Sequence, residues 1–377
     1  MRFLERERAV LGKLLPGLDE ALAAHGLTAL ERPGSPGIAA FREAGGPGLL
    51  VAAAHGGAGA TAVQAIQVQR AIGARSPSLA VATTMHHFSM AGLVVVSEIS
   101  NGFEWMLMEG IAREAKLLAS GFAEGTSGQN ILAPAMRVTP ADGGVRVTGA
   151  KRPCSLSASM DLLTASILVP RLDGTGDQLA IALIPAGSEG MSVSPFWGSF
   201  ALAGAESDQV VLDEVFVPDE LLVRTDSAPG QALDGIQIAG FLWFEVLMTA
   251  SYLGAASALV ERVLGQDRIP ELERVRLVCD VEAAMAAVET VAARLDNGAR
   301  DSTALAESLY ARYAAQDAIA RIVPRAVELL GGMAYFAADD VAYLSACANG
   351  LSLHPPSRSR MAGPLVAQLG GQPLTIA

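Results

Sequence analysis

Two side chains in this sequence stand out as able to move a proton. Glu245 is the lone charge in the apolar stretch from Gly240 to Val260. Burial raises the pKa of a carboxyl group, which suits such a residue to act as a general base near neutral pH. The competing reading is a buried ion pair with an arginine from a neighbouring helix, Arg294 or Arg312. His354 stands in Leu353-His354-Pro355-Pro356. An imidazole exchanges protons around neutral pH, so an acid–base role competes with that of a loop histidine beside two prolines. His86 and His87 are adjacent, so on a helix they point to different sides and do not share a metal. No metal site is expected. Gly56-Gly57-Ala58-Gly59 has the composition of a phosphate cradle, and equally of a plain helix entry. Ser357-Arg358-Ser359-Arg360 reads either as a phosphate contact or as a solvated loop.

The elements that must position these groups fall into three blocks. The first is helical, with amphipathic patterns over Leu11 to Ala24, Thr61 to Ile72 and Phe103 to Leu118. Beyond Leu118 the texture changes. Ala135 to Val138 and Val145 to Thr148 flank Pro140-Ala141-Asp142-Gly143-Gly144, which predicts a hairpin. Leu162 to Val169 and Gln178 to Ile184 are β-rich runs bounded by prolines, and Val210 to Val217 alternates with period two. Thr225 to Gly230 reads as a linker. Long helical patterns follow over Ile236 to Leu264, Leu272 to Leu295 and Thr303 to Leu330. Pro324 interrupts the last of these and Gly331-Gly332 ends it. Helices, then a sheet, then helices is an α+β arrangement, with domains at 1–118, 119–223 and 230–377.

Composition narrows the partners. The 377 residues are 51% apolar and 18% charged, with a net charge of −12. That describes a large-cored globular protein. An acidic chain without a Lys/Arg cluster is a poor nucleic-acid binder, so none is expected as a partner. The N-terminal Met1 to Arg8 is too charged for a signal peptide. Gly240 to Val260 reaches membrane length, but Glu245 and its small residues predict a buried core helix, so no membrane is expected either. Three widely separated cysteines, Cys154, Cys279 and Cys347, suggest neither a disulfide framework nor a zinc site, and a cytoplasmic location is expected.

Three ordered segments carry a family resemblance: Leu118 to Asn130 (LASGFAEGTSGQN), Val147 to Ser155 (VTGAKRPCS) and Asp208 to Pro218 (DQVVLDEVFVP). Their order and spacing resemble the central β-domain of acyl-CoA dehydrogenases and of the flavin-dependent monooxygenases that share that fold. Leu49 to Gly59, Ser76 to Ala80 and Glu328 to Tyr335 extend the likeness over nearly the whole chain. The resemblance implies an acyl-CoA dehydrogenase-like fold, with an N-terminal helical domain, a middle β-domain and a C-terminal helical bundle that packs against a partner's to give a homodimer or homotetramer. It implies FAD as cofactor, with FMN as the alternative flavin, held by Phe122, Ala123, Gly128, Gln129 and Ser155, and by Arg268 in place of a family arginine. It places His87 near the substrate.

The resemblance also implies where the chemistry departs. The usual catalytic Glu near the C-terminus corresponds here to Pro355, which cannot take a proton. Glu245 lies one residue from the alternative base position on the first C-terminal helix, and His354 falls where monooxygenases of this fold carry a histidine near the flavin. Three readings follow. The first is a flavin oxidoreductase acting on an acyl thioester of coenzyme A or a carrier protein, with Glu245 as base. The second is a monooxygenase of the same fold, with His354 in the site. The third is an acyl-binding or scaffolding protein that has lost flavin.

Overall fold

The computed structural model describes residues 2–99, 104–125, 133–171, 173–225, 233–337 and 339–376. Its first block holds α1 (Glu5–Leu14), α2 (Leu18–His25), α3 (Leu27–Leu30), α4 (Pro36–Glu43), α5 (Ala62–Arg75), α6 (Pro77–Ile99) and α7 (Glu104–Arg113). The helix expected from Leu11 to Ala24 is two. Pro16 lacks the amide hydrogen a continuing helix needs, and Gly17 caps α2 at φ 82°. α5 opens where its pattern opens: Thr61 accepts from the Gln64 amide, and the Gln64 side chain returns to the Thr61 amide. The helix expected to reach Leu118 stops at Arg113, and the chain continues as a strand. α6 is buried almost all round, so no polar stripe announces it in the sequence.

The strands are β1 (Leu118–Gly121), β2 (Arg137–Ala141), β3 (Gly144–Cys154), β4 (Leu162–Pro170), β5 (Asp177–Pro185), β6 (Met191–Ser194), β7 (Asp208–Pro218) and β8 (Leu222–Arg224). They form two four-stranded sheets, in the orders β1-β4-β5-β8 and β2-β3-β7-β6. β1 runs parallel to β4 with Ser120 opposite Thr164, and the other pairings are antiparallel. The β2–β3 hairpin turns at Asp142-Gly143, where Gly143 takes φ 71°.

The C-terminal block comprises α8 (Gly235–Leu264), α9 (Glu271–Asp296), α10 (Ser302–Leu330), α11 (Gly332–Ala337), α12 (Asp339–Ala348) and α13 (Arg358–Leu369). α8 is the central helix, packed against α5, α6, α9 and α10. Its crossing with α5 depends on two glycines. A Cβ on Gly73 would lie 2.3 Å from the Ser251 carbonyl oxygen, and one on Gly254 would lie 2.4 Å from that of Arg70. This close approach fixes how α8 is turned about its own axis. Among the described residues two helical stretches, Pro77–Glu98 and Gly235–Leu264, are long and apolar enough to cross a membrane, and the most apolar 18 residues of each are 78% and 72% buried inside the protein. Interior packing therefore accounts for their apolarity.

Candidate active site

Between one face of the first sheet and helices α6 and α8 lies a cavity of about 620 Å³. That is within the range of small-molecule and cofactor sites. The sheet contributes Ser120, Thr164, Ser166, Ile181 and Val223, whose side chains share a face because strand residues alternate. α6 contributes Met85, Phe88, Ser89, Gly92 and Val96, and α8 contributes Ile236, Gln237, Gly240, Phe241 and Phe244, both at helical spacing. Phe196 and Trp197 come from a loop whose backbone amides are held by the Asp208 carboxylate. Leu353, His354 and Pro355 complete the wall. No Asp, Glu, Lys or Arg lines the cavity among the described residues.

His354 is fixed by a partner that the sequence did not single out. Its Nε2 lies 2.7 Å from the Tyr252 hydroxyl. Tyr252 is buried, and its hydroxyl has no other partner among the described residues, so its O–H donates to Nε2. The ring proton then resides on Nδ1, which makes no hydrogen bond within the described residues and is a free donor. Burial first, and the nearby Arg312 guanidinium second, push this imidazole down to about 3, so it is neutral across the physiological range. Burial likewise raises the Tyr252 phenol, which keeps its proton. Gly350 makes the room: a Cβ there would lie 2.7 Å from the Tyr252 hydroxyl oxygen. Tyr252 is two helical turns beyond Phe244, on the same side of α8. That spacing is the only sequence signal for it.

Glu245 does not line the cavity, which corrects the expectation of a base. One residue along from Phe244, it turns into the interior between α8 and α10. There Arg312 Nη1 donates to both carboxylate oxygens, at 3.0 and 2.9 Å. Both side chains are fully buried. Burial pushes the carboxyl group up and the guanidinium pulls it back; the two contacts describe an ionised pair. Of the two arginines weighed from the sequence, Arg312 is the partner, while Arg294 pairs with Glu307. Arg312 does more than neutralise. It donates to the backbone carbonyls of Leu351 and Pro355, each at 3.1 Å, and to that of His354. The pair is therefore a clamp on the turn that presents His354.

Phe122, Ala123 and Ser155 of the expected cofactor set line the cavity. Ser155 Oγ is 2.9 Å from Ser207 Oγ, a pair with one spare hydroxyl proton, and the Ser120 hydroxyl makes no hydrogen bond within the described residues. Beneath them the buried Lys151 donates to Glu124 at 2.8 Å and to Ser166 at 3.2 Å. Gly128 and Gln129 lie outside the described residues. Arg268 is not at the cavity; it donates to the Leu330 carbonyl at the end of α10. His87 is not there either. It is buried against Phe41 and His86, and neither ring nitrogen has a partner among the described residues. On a helix, the cavity-lining Met85, Phe88 and Ser89 leave position 87 on the opposite side.

His86 ties α6 to its surroundings. Its Nε2 lies 3.0 Å from the Pro47 carbonyl oxygen, and its Nδ1 accepts from the Leu118 amide at 3.1 Å. Burial pushes it down to about 4, and holds His87 well below its ordinary value. The sign of the consequence is fixed. Between about 6.5 and about 4 the unfolded chain binds protons that the folded chain refuses, so stability falls as pH falls through that window. Chemical denaturation should show a loss of about 2 kcal/mol from His86 alone on going from about pH 7 to about pH 5, with His87 adding in the same direction. His86→Gln keeps a donor and an acceptor without a titrating ring and should reduce that loss. Equal stability of the native protein at both pH values would refute the argument.

Comparison with known proteins places this architecture. Residues 248–349 match the family model for the acyl-CoA dehydrogenase C-terminal domain. The isobutylamine N-hydroxylase of Streptomyces viridifaciens is 45% identical over 381 residues, covering 100% of both chains. Among solved structures, a nitrososynthase from Micromonospora carbonacea var. africana superposes with a TM-score of 0.82 at 18% identity, covering 97% of this chain and 96% of that one. FMN-bound TdsC from Paenibacillus sp. A11-2 superposes at 0.79 with 20% identity, covering 100% and 99%. The two structural likenesses establish the fold.

Proposed function

This chain belongs to the acyl-CoA dehydrogenase superfamily, and from that premise we propose that it is a flavin-dependent monooxygenase that hydroxylates the nitrogen of a primary amine, with FMN as its flavin. The amine N-hydroxylase relative, 45% identical along its full length, supports this reading over oxidation of an acyl thioester. FMN is bound in structures of the same fold.

The observation that carries the proposal is a cavity with no carboxylate among its described lining residues. Dehydrogenation of an acyl thioester needs a base at the α-carbon, Pro355 cannot serve, and Glu245 is held by Arg312 away from the cavity. Hydroxylation of an amine makes the opposite demand. The nitrogen attacks through its lone pair, so it must arrive unprotonated. The uncharged side chains of the described walls penalise an ammonium ion and favour the free amine. An Asp or Glu at the cavity would stabilise the unreactive cation.

The residues present fit a flavin. Phe122, Ala123 and Pro153 would lie against its ring, with hydroxyls from Ser120 and the Ser155–Ser207 pair to meet polar ring atoms. Reduced FMN, when bound, supplies two electrons to dioxygen, so that one oxygen atom enters the amine as the hydroxylamine and the other leaves as water. His354 lines the cavity, and with Tyr252 donating to Nε2 its Nδ1–H would stabilise negative charge on oxygen there. The aromatic floor of Phe88 and Phe244 (ring centroids 5.9 Å apart) excludes water. A homodimer or homotetramer remains part of the proposal; it would cover Met333 and Phe336, which are 76% and 82% exposed.

The test supplies purified protein with FMN, a flavin reductase, a nicotinamide reductant and air, and assays hydroxylamine from simple primary amines. Product dependent on all components is the expected result. Bleaching of bound flavin by an acyl thioester without reductase would restore the dehydrogenase reading. Failure to retain either FMN or FAD would favour the flavin-free one.

A further inference from the structure

Two glycines in the walls of the cavity have no local reason to be glycine. Gly92 lies inside α6 and Gly240 inside α8. Neither takes positive φ. Among the described residues a Cβ built on either meets nothing within 4 Å, in contrast to the tightly enclosed Gly73 and Gly254. Glycine inside a helix is less stable than alanine because it loses more backbone freedom on folding. What both positions share is the cavity.

Their placement is mutual. Phe88 and Phe244 meet edge to face and close the space between α6 and α8. Gly92 is one helical turn past Phe88, and Gly240 is one turn before Phe244. Both glycines therefore stand on the cavity-lining sides of their helices, one turn from the aromatic contact. Around them Leu93, Val96, Ile236 and Phe241 are apolar and outnumber the polar Ser89 and Gln237. An apolar recess framed this way takes a hydrocarbon group, and side chains at the two glycine positions would occupy its volume.

We propose that Gly92 and Gly240 set the size of the alkyl group that the protein accepts, the recess they open receiving the hydrocarbon part of a primary amine. The assignment rests on the amine-hydroxylation reading, and the test separates the two. Gly92→Ala, Gly92→Val, Gly240→Ala and Gly240→Val would be compared with the native protein for kcat/KM over a series of straight-chain primary amines from propylamine to octylamine. Binding of the matching alkanols, which fill the same space without a nucleophilic nitrogen, would be measured in parallel by calorimetry. A methylene in an apolar pocket is worth about a tenfold or greater discrimination. Each valine variant should therefore lower the ratio of long-chain to short-chain kcat/KM by about tenfold or more, with alanine intermediate, and the alkanol affinities should reorder in the same way. Both alanine variants should melt at or above the native temperature, which shows that the fold is kept. An unchanged size ranking for amines and alkanols in both valine variants overturns the proposal, and so does a valine variant that loses flavin without any change in ranking. Reordered alkanol binding in a protein that hydroxylates no amine would leave the size gauge standing and remove the amine chemistry instead.

Discussion

On the proposed chemistry, replacing His354 with alanine should lower amine hydroxylation roughly 10²–10³-fold, the range over which one preorganised hydrogen-bond donor contributes to a rate. Oxygen consumption should fall much less, the difference appearing as hydrogen peroxide released without product. The argument is geometric. Tyr252 donates to Nε2 at 2.7 Å and leaves a proton on Nδ1. That proton offers a hydrogen bond to oxygen in a cavity whose described walls carry no charge. Tyr252→Phe removes the bond that selects this tautomer and should raise peroxide release in the same direction by a smaller factor, since the ring stays in place. Because His354 is held down to about 3, its own titration should leave no step in the rate between about pH 5 and pH 8. Stopped-flow turnover with a peroxide assay reads all three effects. A His354→Ala variant that couples oxygen to product as tightly as the native protein would remove His354 from the proposed chemistry.

Glu245→Gln should destabilise the protein by about 3–5 kcal/mol, the cost of breaking a buried pair and leaving one charge behind. The glutamine keeps the shape but not the charge, so the Arg312 guanidinium would face the carbonyls of Leu351, His354 and Pro355 with no anion beside it. Chemical denaturation of the native and variant proteins measures the loss. A second variant distinguishes a clamp from a base. Exchanging the pair for apolar residues of similar volume, Glu245→Leu with Arg312→Met, removes the charge imbalance and should recover much of the stability. It also frees the turn that presents His354, so hydroxylation should stay depressed while the protein remains folded. A Glu245→Gln protein of native stability that had lost turnover of an acyl thioester would return Glu245 to the role of base.

Much of the architecture was legible because it follows from short-range rules. Thr61 with Gln64, the Asp142-Gly143 turn, the alternation of Val210 to Val217 and the long apolar patterns after Ile236 each depend on residues a few positions apart. The illegible parts were of another kind. The end of the helix expected to reach Leu118 was misjudged because β1 is called into being by β4, far along the chain. The start of α6 at Pro77 was not placed from the sequence, because a helix covered on nearly every side loses its periodicity.

At the site, the sequence by itself indicated that Glu245 would be buried, as a base or as half of an ion pair, and that His354 stood beside two prolines. It could not determine which way Glu245 faces. Neighbouring positions on a helix are about 100° apart, so whether residue 244 or 245 meets the cavity depends on the rotation of α8. That rotation is set by the close crossing at Gly73 and Gly254 and by the helices around it. Nor could it pair Glu245 with Arg312 rather than Arg294, or bring the Tyr252 hydroxyl to a histidine 102 residues away. Helix and strand patterns arise from the repeat of the backbone and are written locally. The meeting of buried polar groups is a property of packing, because each must find its partner wherever the assembled core leaves one within hydrogen-bond reach.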